Sequence, residues 1–260
     1  VTFVEPKVFL IGETRVVESG LQAYFDHMGV SDWKTDAPSD AERLCEVFGR
    51  LCYRSFEAGL NPNVSRVRQG NAPYLRHIVE AGHGSVFEHA SVNFIFADVS
   101  RVFTHELARH RAGVAVSQES LRFVRLDTLS AFVPTVIREN EEGMAIFAKT
   151  LEHLEAIQRQ LAGVYDIADE KSFDKKKKLT SAFRRVAPDG VATTMGWSAN
   201  LRTLRHVIER RTDPAAEEEI RLVFGRVFET VRARYPNVFA DYTVEMADGL
   251  PWVKTPHGKI

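Results

Sequence analysis

The stretch ASVNFIFADVSRVFTHELARHR, Ala90 to Arg111, changes its period halfway. In its first half the apolar residues Val92, Phe94 and Phe96 alternate with others, which is the spacing of a strand with one buried face. Ser100 then stands where an N-cap belongs, and RVFTHELARHR reads as a helix that stops near Gly113. The residues after it, SLRFVRL, read as another strand. Upstream, VFLIGETRVV is a short strand followed by a turn. APSDAERLCEVFGRLCYRSF is a helix, with Ser39 and Glu42 at capping-box spacing and apolar residues at Leu44, Val47, Phe48, Leu51 and Cys52. NPNVSRVRQGN is a loop, and APYLRHIVEAG is a short helix ended by Gly82. Downstream lie a long amphipathic helix over about 139–168, a helical stretch KSFDKKKKLTSAFRRVAP ended by Pro188, and the helix LRTLRHVIERR. A last helix, AAEEEIRLVFGRVFETVRARY, starts after Asp213 and Pro214 and precedes an aromatic, irregular tail. No repeat or low-complexity linker divides the chain. The expected architecture is a single α+β domain over residues 1–260, helix-rich, with an antiparallel sheet.

Composition narrows the function classes. The chain has 260 residues, 44% hydrophobic and 27% charged, enough to bury a core without covalent staples. A formal net charge of −1 gives no support for a general nucleic-acid binder, and no stacking-aromatic RNA motif accompanies the local basic clusters. No apolar run approaches the ~20 residues of a membrane span, and the first residues lack the pattern of a signal peptide. Two cysteines in a chain of this length fit a reducing compartment, so the expectation is a soluble cytoplasmic protein with no membrane or nucleic-acid partner.

Metal and thiol chemistry are weak candidates. THELARH resembles a zinc motif, but Arg109 occupies the place of its second histidine, and His105 and His110 are five residues apart, on different helix faces. His77, His83 and His89 match no standard ligand spacing, so no metal is expected. Cys45 and Cys52, seven apart on one helix, read as small core hydrophobes sharing a buried face. The lysine run Lys175 to Lys178 reads as a solvated face.

Two arginine clusters remain. Arg109, His110 and Arg111 end a helix, where cations are favourable in themselves. The connection that follows, AGVAVSQESLR, adds hydroxyls, an amide and Arg122, a set of donors suited to a phosphorylated small molecule. It reads as two half-sites on one turn, with RHR on one side and SQESLR at a strand entry on the other. In GWSANLRTLRHVIERRTD, Asn200, Arg202, His206 and Arg211 recur along one helix, with Arg202 and His206 sharing a face.

Together the clusters resemble the flavin-dependent thymidylate synthase family, also known as the thymidylate synthase complementing proteins. Its R-H-R…S-x-R-[YF] signature is matched by Arg109, His110, Arg111, Ser120, Leu121, Arg122 and Phe123. HGSVFEH, WSANLRTLRH and Arg185-Val186-Ala187-Pro188 resemble further blocks of the family, in order, over roughly residues 81–221. The resemblance implies a methyltransferase that makes a 5-methyluracil nucleotide. FAD, reduced by NADPH, supplies hydride, methylenetetrahydrofolate supplies the carbon, and no enzyme cysteine attacks the ring. It implies that Ser85, Glu88, Arg109, His110, Arg111, Asn200, Arg202 and His206 bind FAD, with His83 a lesser candidate. Gln118, Ser120, Leu121 and Arg122 would hold the nucleotide, Arg185 would reach it from another subunit, and Arg211 would hydrogen-bond the uracil, so that Arg211 and Ser120 are the catalytic candidates. The implied assembly is a homotetramer with shared active sites.

The chain departs from the family pattern in places. Eight residues, Ala112 to Glu119, separate Arg111 from Ser120, one more than the pattern, which implies a bulge or a longer turn. Glu106 stands where a glutamine often binds substrate, and a carboxylate there would repel a phosphate. Ala215 stands where the family usually has histidine. These departures surround nucleotide and flavin and raise the expectation that UMP is accepted beside, or instead of, dUMP. The alternatives are a UMP-preferring methylase of a specialised nucleoside pathway and a non-catalytic flavin- or nucleotide-binding homologue.

Overall fold

The period change at Ser100 is where a sheet turns into its own helical cover. In the computed structural model, which describes residues 1–122 and 128–258, β1 (Thr2–Phe3) and β2 (Lys7–Glu13) come first. Helices α1 (Glu18–Met28), α2 (Asp40–Tyr53) and α3 (Asn71–Glu80) follow, then a 3₁₀ turn, Gly84–His89. Next are β3 (Ser91–Ser100), α4 (Arg101–Leu107), β4 (Val114–Gln118) and β5 (Ser130–Ala131). Three helices, α5 (Thr135–Arg138), α6 (Glu141–Val164) and α7 (Phe173–Phe183), separate these from β6 (Ala192–Asn200). The chain closes with α8 (Leu201–Arg211), α9 (Glu218–Arg234) and a hairpin of β7 (Thr243–Ala247) and β8 (Leu250–Lys254).

The central sheet has four antiparallel strands in the order β2-β3-β6-β4. Alternation decides its two faces. Val92, Phe94, Phe96 and Val99 of β3, with Thr193, Met195, Trp197 and Ala199 of β6, are buried under α4, α8 and α9. Phe96 meets the ring of Phe103 at 5.4 Å, and Trp197 meets Phe224 at 5.8 Å. Each such side chain contributes roughly 1.5–3 kcal/mol by leaving water. The opposite face is mixed: Asn93 Nδ2 donates to Ser198 Oγ at 2.6 Å, and the apolar Phe9 and Ile11 of β2 are exposed.

Strand register explains how the arginine clusters meet. Ser100 pairs with Ala192 and Ser91 with Asn200, so α4 and α8 leave the sheet from opposite ends. Helix α4 carries the chain back along the sheet, and β4 starts at Val114 opposite Ala199. The Arg109–Gly113 turn is thereby delivered to the end where α8 begins. Both helices are capped: Ser100 Oγ, as expected, accepts from Phe103 N at 3.0 Å, and Asn200 Oδ1, a cap not foreseen from the sequence, accepts from Thr203 N at 2.8 Å.

Several elements differ from expectation. Helix α4 ends at Leu107, so Arg109, His110 and Arg111 follow it in a turn rather than forming its last turn. The strand expected from Ser120 is displaced upstream to Val114–Gln118, and Leu121 and Arg122 form a turn; the rest of that expected strand, 123–126, lies outside the described residues. The last helix begins at Glu218, because Glu217 caps it by accepting from Glu219 N and Ile220 N. The tail is an ordered hairpin: Asp248 and Gly249, both at positive φ, make the tight turn between β7 and β8. Cys45 is buried but Cys52 is exposed, because α2 has by then run past the core. Strand β6, whose Thr193, Met195, Trp197 and Ala199 alternate with exposed-side residues, and helix α1 were not foreseen.

Candidate active site

Helix α8 acts as a rail along which the α4–β4 connection is laid in reverse. Its start holds the turn: Asn200 N donates to the Gly113 carbonyl at 3.0 Å, and Thr203 Oγ1 donates to the Ala112 carbonyl at 2.8 Å. One turn on, the His206 ring lies 6.0 Å from that of His110. At its end Arg211 Nε donates to His110 Nε2 at 2.7 Å, Nη1 to Glu106 Oε2 at 2.9 Å and Nη2 to the Glu106 carbonyl at 3.0 Å. Thr203 and His206 lie one turn apart on α8, and Arg211, in its last turn, reaches the same connection with its long side chain. Gly113 has φ +68°, and a Cβ there would sit 2.5 Å from Thr203 Oγ1; only glycine lets the turn approach α8 this closely.

A cleft of about 630 Å³ opens between them. Glu88, Arg109, His110, Arg111, Asn200, Arg202 and His206 line it, which is seven of the eight residues expected at FAD. The eighth, Ser85, lies with His83 in an adjoining cavity of about 350 Å³ that shares Arg202 as a wall. Arg202 Nη1 is paired with Glu88 Oε1 at 2.5 Å. Arg109 and Arg111 have no ion-pair partner among the described residues, so two guanidiniums face the cleft uncompensated. Thr203, Gly113 and Gly258 also line it. The first two adjoin recognisable motifs; nothing in the sequence around Gly258 points to a cleft wall.

Charge states follow from the surroundings. Burial, reinforced by Arg211, His206, Arg109 and Arg210, pulls the His110 imidazole down to about 4. It is therefore neutral, as its acceptance of the Arg211 Nε–H also requires. Burial lowers Arg211 from the usual guanidinium value, against the opposing effect of Glu106. Burial raises Glu217, and it pushes Glu219 up to about 7 despite hydrogen bonds from Ser100. Burial likewise holds the Cys45 thiol protonated, which removes it as a nucleophile.

The residues expected at the nucleotide are not in this cleft. Gln118 pairs with Met195, at the far end of β4 from Val114. Four strand steps, ~13 Å, separate the two half-sites. They occupy opposite ends of a strand, not two sides of one turn. Gln118 Nε2 donates to Thr104 Oγ1 at 3.2 Å, Ser120 Oγ accepts from Arg122 N at 3.3 Å, Leu121 is buried and Arg122 exposed. Arg185 sits in a 3₁₀ turn after α7, exposed and away from the cleft. Strand β4 pairs with β6 without a register shift, so the extra residue before Ser120 makes no bulge in the paired strand. The carboxylate of Glu106 faces Arg211. Among the described residues no cluster of three or more His, Cys, Asp or Glu side chains is placed to hold a metal, and no helix is long and apolar enough to cross a membrane.

Comparison with known proteins shows the family. Residues 35–237 match the family described as thymidylate synthase complementing protein. A flavin-dependent thymidylate synthase of Corynebacterium efficiens is 34% identical over 234 residues, covering 86% of this chain and 89% of the relative. One from Mycobacterium sp. (strain JLS) is 35% identical over 232 residues, with the same two coverages, 86% and 89%. Among solved structures, Thymidylate Synthase X from Helicobacter pylori, crystallised with FAD and dUMP, has a TM-score of 0.59 at 19% identity, covering 91% of this chain and 98% of that one. The UMP/dUMP methylase PolB from Streptomyces cacaoi, bound with 5-Br dUMP, has a TM-score of 0.63 at 14% identity, covering 92% and 95%. At such identities the two structures bear on the fold alone, and the fold is the same. Motif order, fold and sequence relatives converge: the chain belongs to the flavin-dependent thymidylate synthase family and is an enzyme of that methyltransferase type.

Proposed function

We propose that the chain methylates C5 of the uracil ring of dUMP, using FAD held in the Arg109–His206 cleft, NADPH as reductant and methylenetetrahydrofolate as carbon donor. The observation that carries this reading is the cleft itself, where two guanidiniums with no ion-pair partner among the described residues, Arg109 and Arg111, converge with the N-terminus of α8. Such donors suit the pyrophosphate of a dinucleotide. His110, held neutral by burial, and His206 supply flat surfaces, and Asn200 and Thr203 supply polar edges, so the residues present fit FAD. When bound, FAD supplies the hydride.

The protein's own part is orientation and charge stabilisation. Arg211 gives three N–H groups to His110 and Glu106; a guanidinium carries five, so two remain to receive negative charge growing on a uracil carbonyl. Ser120, Gln118, the Leu121 backbone and Arg122 grip the nucleotide at the other end of β4. That end and Arg185 both lie outside the cleft within one chain, and the sheet face with Phe9 and Ile11 is exposed. Both features support a homotetramer in which one copy's nucleotide half completes another's flavin half. Each copy then contributes one catalytic domain, 1–260, to an assembly working in the cytoplasm. UMP is a second substrate in this reading: the extra residue is taken up outside the regularly paired Val114–Gln118, before Ser120 of the nucleotide half.

Purified protein tests this directly. It is expected to be yellow, or to become so with FAD, and to release tritium from [5-³H]dUMP only with NADPH and methylenetetrahydrofolate present. Release from [5-³H]UMP, run beside it, decides the sugar. No release from either nucleotide by the flavin-loaded protein would overturn the proposal.

A further inference from the structure

Glu106 pairs with Arg211 at the inner end of the site, and its surroundings are acidic too. From α9, Glu217 and Glu219 both act on it electrostatically. The cations facing it are Arg211, by direct contact, and behind Arg211 the neighbours Arg109 and Arg210. Glu219 is turned away, taken by Ser100 N and Ser100 Oγ, and Glu217 is spent on the cap of α9. That leaves Glu106 as the carboxylate that meets Arg211. It does so through two different groups: Oε2 accepts from Nη1 and the backbone carbonyl accepts from Nη2, while His110 accepts from Nε. Three acceptors on one guanidinium fix its plane. The pair is largely withdrawn from water, with side-chain exposures of 17% for Arg211 and 28% for Glu106, so its charges are only partly screened.

We propose that Glu106 is a positioning residue for the methylation reaction: it fixes the plane of Arg211 and offsets its charge, so that Arg211 meets the uracil as an aimed hydrogen-bond donor and not as a free cation for the phosphate. The inference rests on the reading that Arg211 meets the uracil. A carboxylate at this point repels phosphate, and its pairing keeps Arg211 from competing with Arg122 for that group. Glutamine would retain an acceptor oxygen for Arg211 and remove the offsetting charge. Alanine would remove the side-chain acceptor and leave the backbone one.

The test uses the flavin-loaded full chain with Glu106→Gln and Glu106→Ala. Two readouts are taken: dUMP affinity from the perturbation of the flavin spectrum at several ionic strengths, and kcat against KM by tritium release. For Glu106→Gln the expected result is dUMP binding tightened roughly five- to tenfold, about one partly screened charge, with a steeper loss on adding salt and a fall in kcat smaller than that of Glu106→Ala, because Arg211 keeps an acceptor but is no longer held off the phosphate. For Glu106→Ala, loss of aim is expected to cut kcat by about 10–100-fold while KM moves little. A role in folding alone would loosen binding, or leave it unmoved, in both variants. Glu106→Gln binding dUMP no more tightly than the parent, or with the same salt dependence, overturns the proposal. If Glu106→Ala does not fold, Glu106→Gln still decides. If the parent binds dUMP but releases no tritium, the assigned reaction fails, while the binding result still judges Glu106.

Discussion

Replacing Gly113 with alanine tests whether the turn after Arg111 is what shapes the flavin cleft. Two costs can be read from the structure. At φ +68° a residue with a Cβ loses about 1–2 kcal/mol relative to its preferred conformations. The Cβ would also press on Asn200 Nδ2 and Thr203 Oγ1, so the turn must back away from α8. That weakens the bonds from Asn200 N to the Gly113 carbonyl and from Thr203 Oγ1 to the Ala112 carbonyl, each worth about 1 kcal/mol. The sum, about 3 kcal/mol, falls on the contacts that hold Arg109, His110 and Arg111 against α8, and corresponds to roughly a hundredfold loss of FAD affinity. The assay is titration of flavin-free protein with FAD, followed by quenching of flavin fluorescence, with thermal melts in parallel. Gly163→Ala is the control: it lies in α6 with nothing within 4 Å of an added Cβ, and is expected to raise stability by about 0.5–1 kcal/mol without touching FAD affinity. If Gly113→Ala keeps the parent's FAD affinity within a factor of two, the turn does not shape the cleft.

Two further outcomes are expected. In the fold, Glu219 holds its proton up to about pH 7, whereas the unfolded chain releases it near 4.5, so this residue's contribution to stability falls as pH rises through that window. His110 works the other way, because it stays neutral down to about 4 while the unfolded imidazole gains its proton near 6.5; its contribution is lost as pH falls from 6.5 to 4. Glu219→Gln removes only the first effect, so urea melts should show the variant gaining on the parent by about 3 kcal/mol between pH 4.5 and 7; a difference that stays constant over that range refutes the burial argument. Replacing both Arg109 and Arg111 with glutamine should weaken FAD binding about tenfold or more and flatten its salt dependence, measured by the same titration. An unchanged salt slope would show that neither guanidinium meets the cofactor's phosphates.

Much of this was legible because local signals and tertiary demands agree. The alternation of Val92, Phe94 and Phe96 and the Ser100 cap mark the strand and the helix that the register then joins. The cleft was legible through motifs: RHR and NLRTLRH contribute their residues from two segments about ninety positions apart, and only the β3–β6 register brings them together. Strand β6 was missed although Thr193, Met195, Trp197 and Ala199 alternate, because Gly196 and the polar residues between them weaken a strand signal. The placement of Gln118 and Ser120 was misjudged because a five-residue strand and a long turn have similar composition here; pairing to β6 distinguishes them, and pairing is not local. The partner of Glu106 was illegible for the same reason, since Arg211 lies 105 positions away and reaches it through helix packing. Gly258 comes to the cleft by the path of the β7–β8 hairpin, which leaves no trace in local composition.

The junction at Asn200 has a consequence for how the protein breathes. Asn200 N is tied to the Gly113 carbonyl and Leu201 N to the Ala90 carbonyl, so the ends of three strands are stitched together directly beneath the cleft. Opening those amides to solvent means separating the middle of the sheet, and deuterium uptake there should proceed only at the rate of global unfolding. Among the described residues the hydrogen bond of the Ser120–Arg122 turn is the 3.3 Å contact from Arg122 N to Ser120 Oγ, with Arg122 exposed. It can exchange by local fluctuation. The cleft lined by Arg109 and His206 thus rests on strand ends that open late, while Ser120 and Arg122 stand beyond the other end of β4.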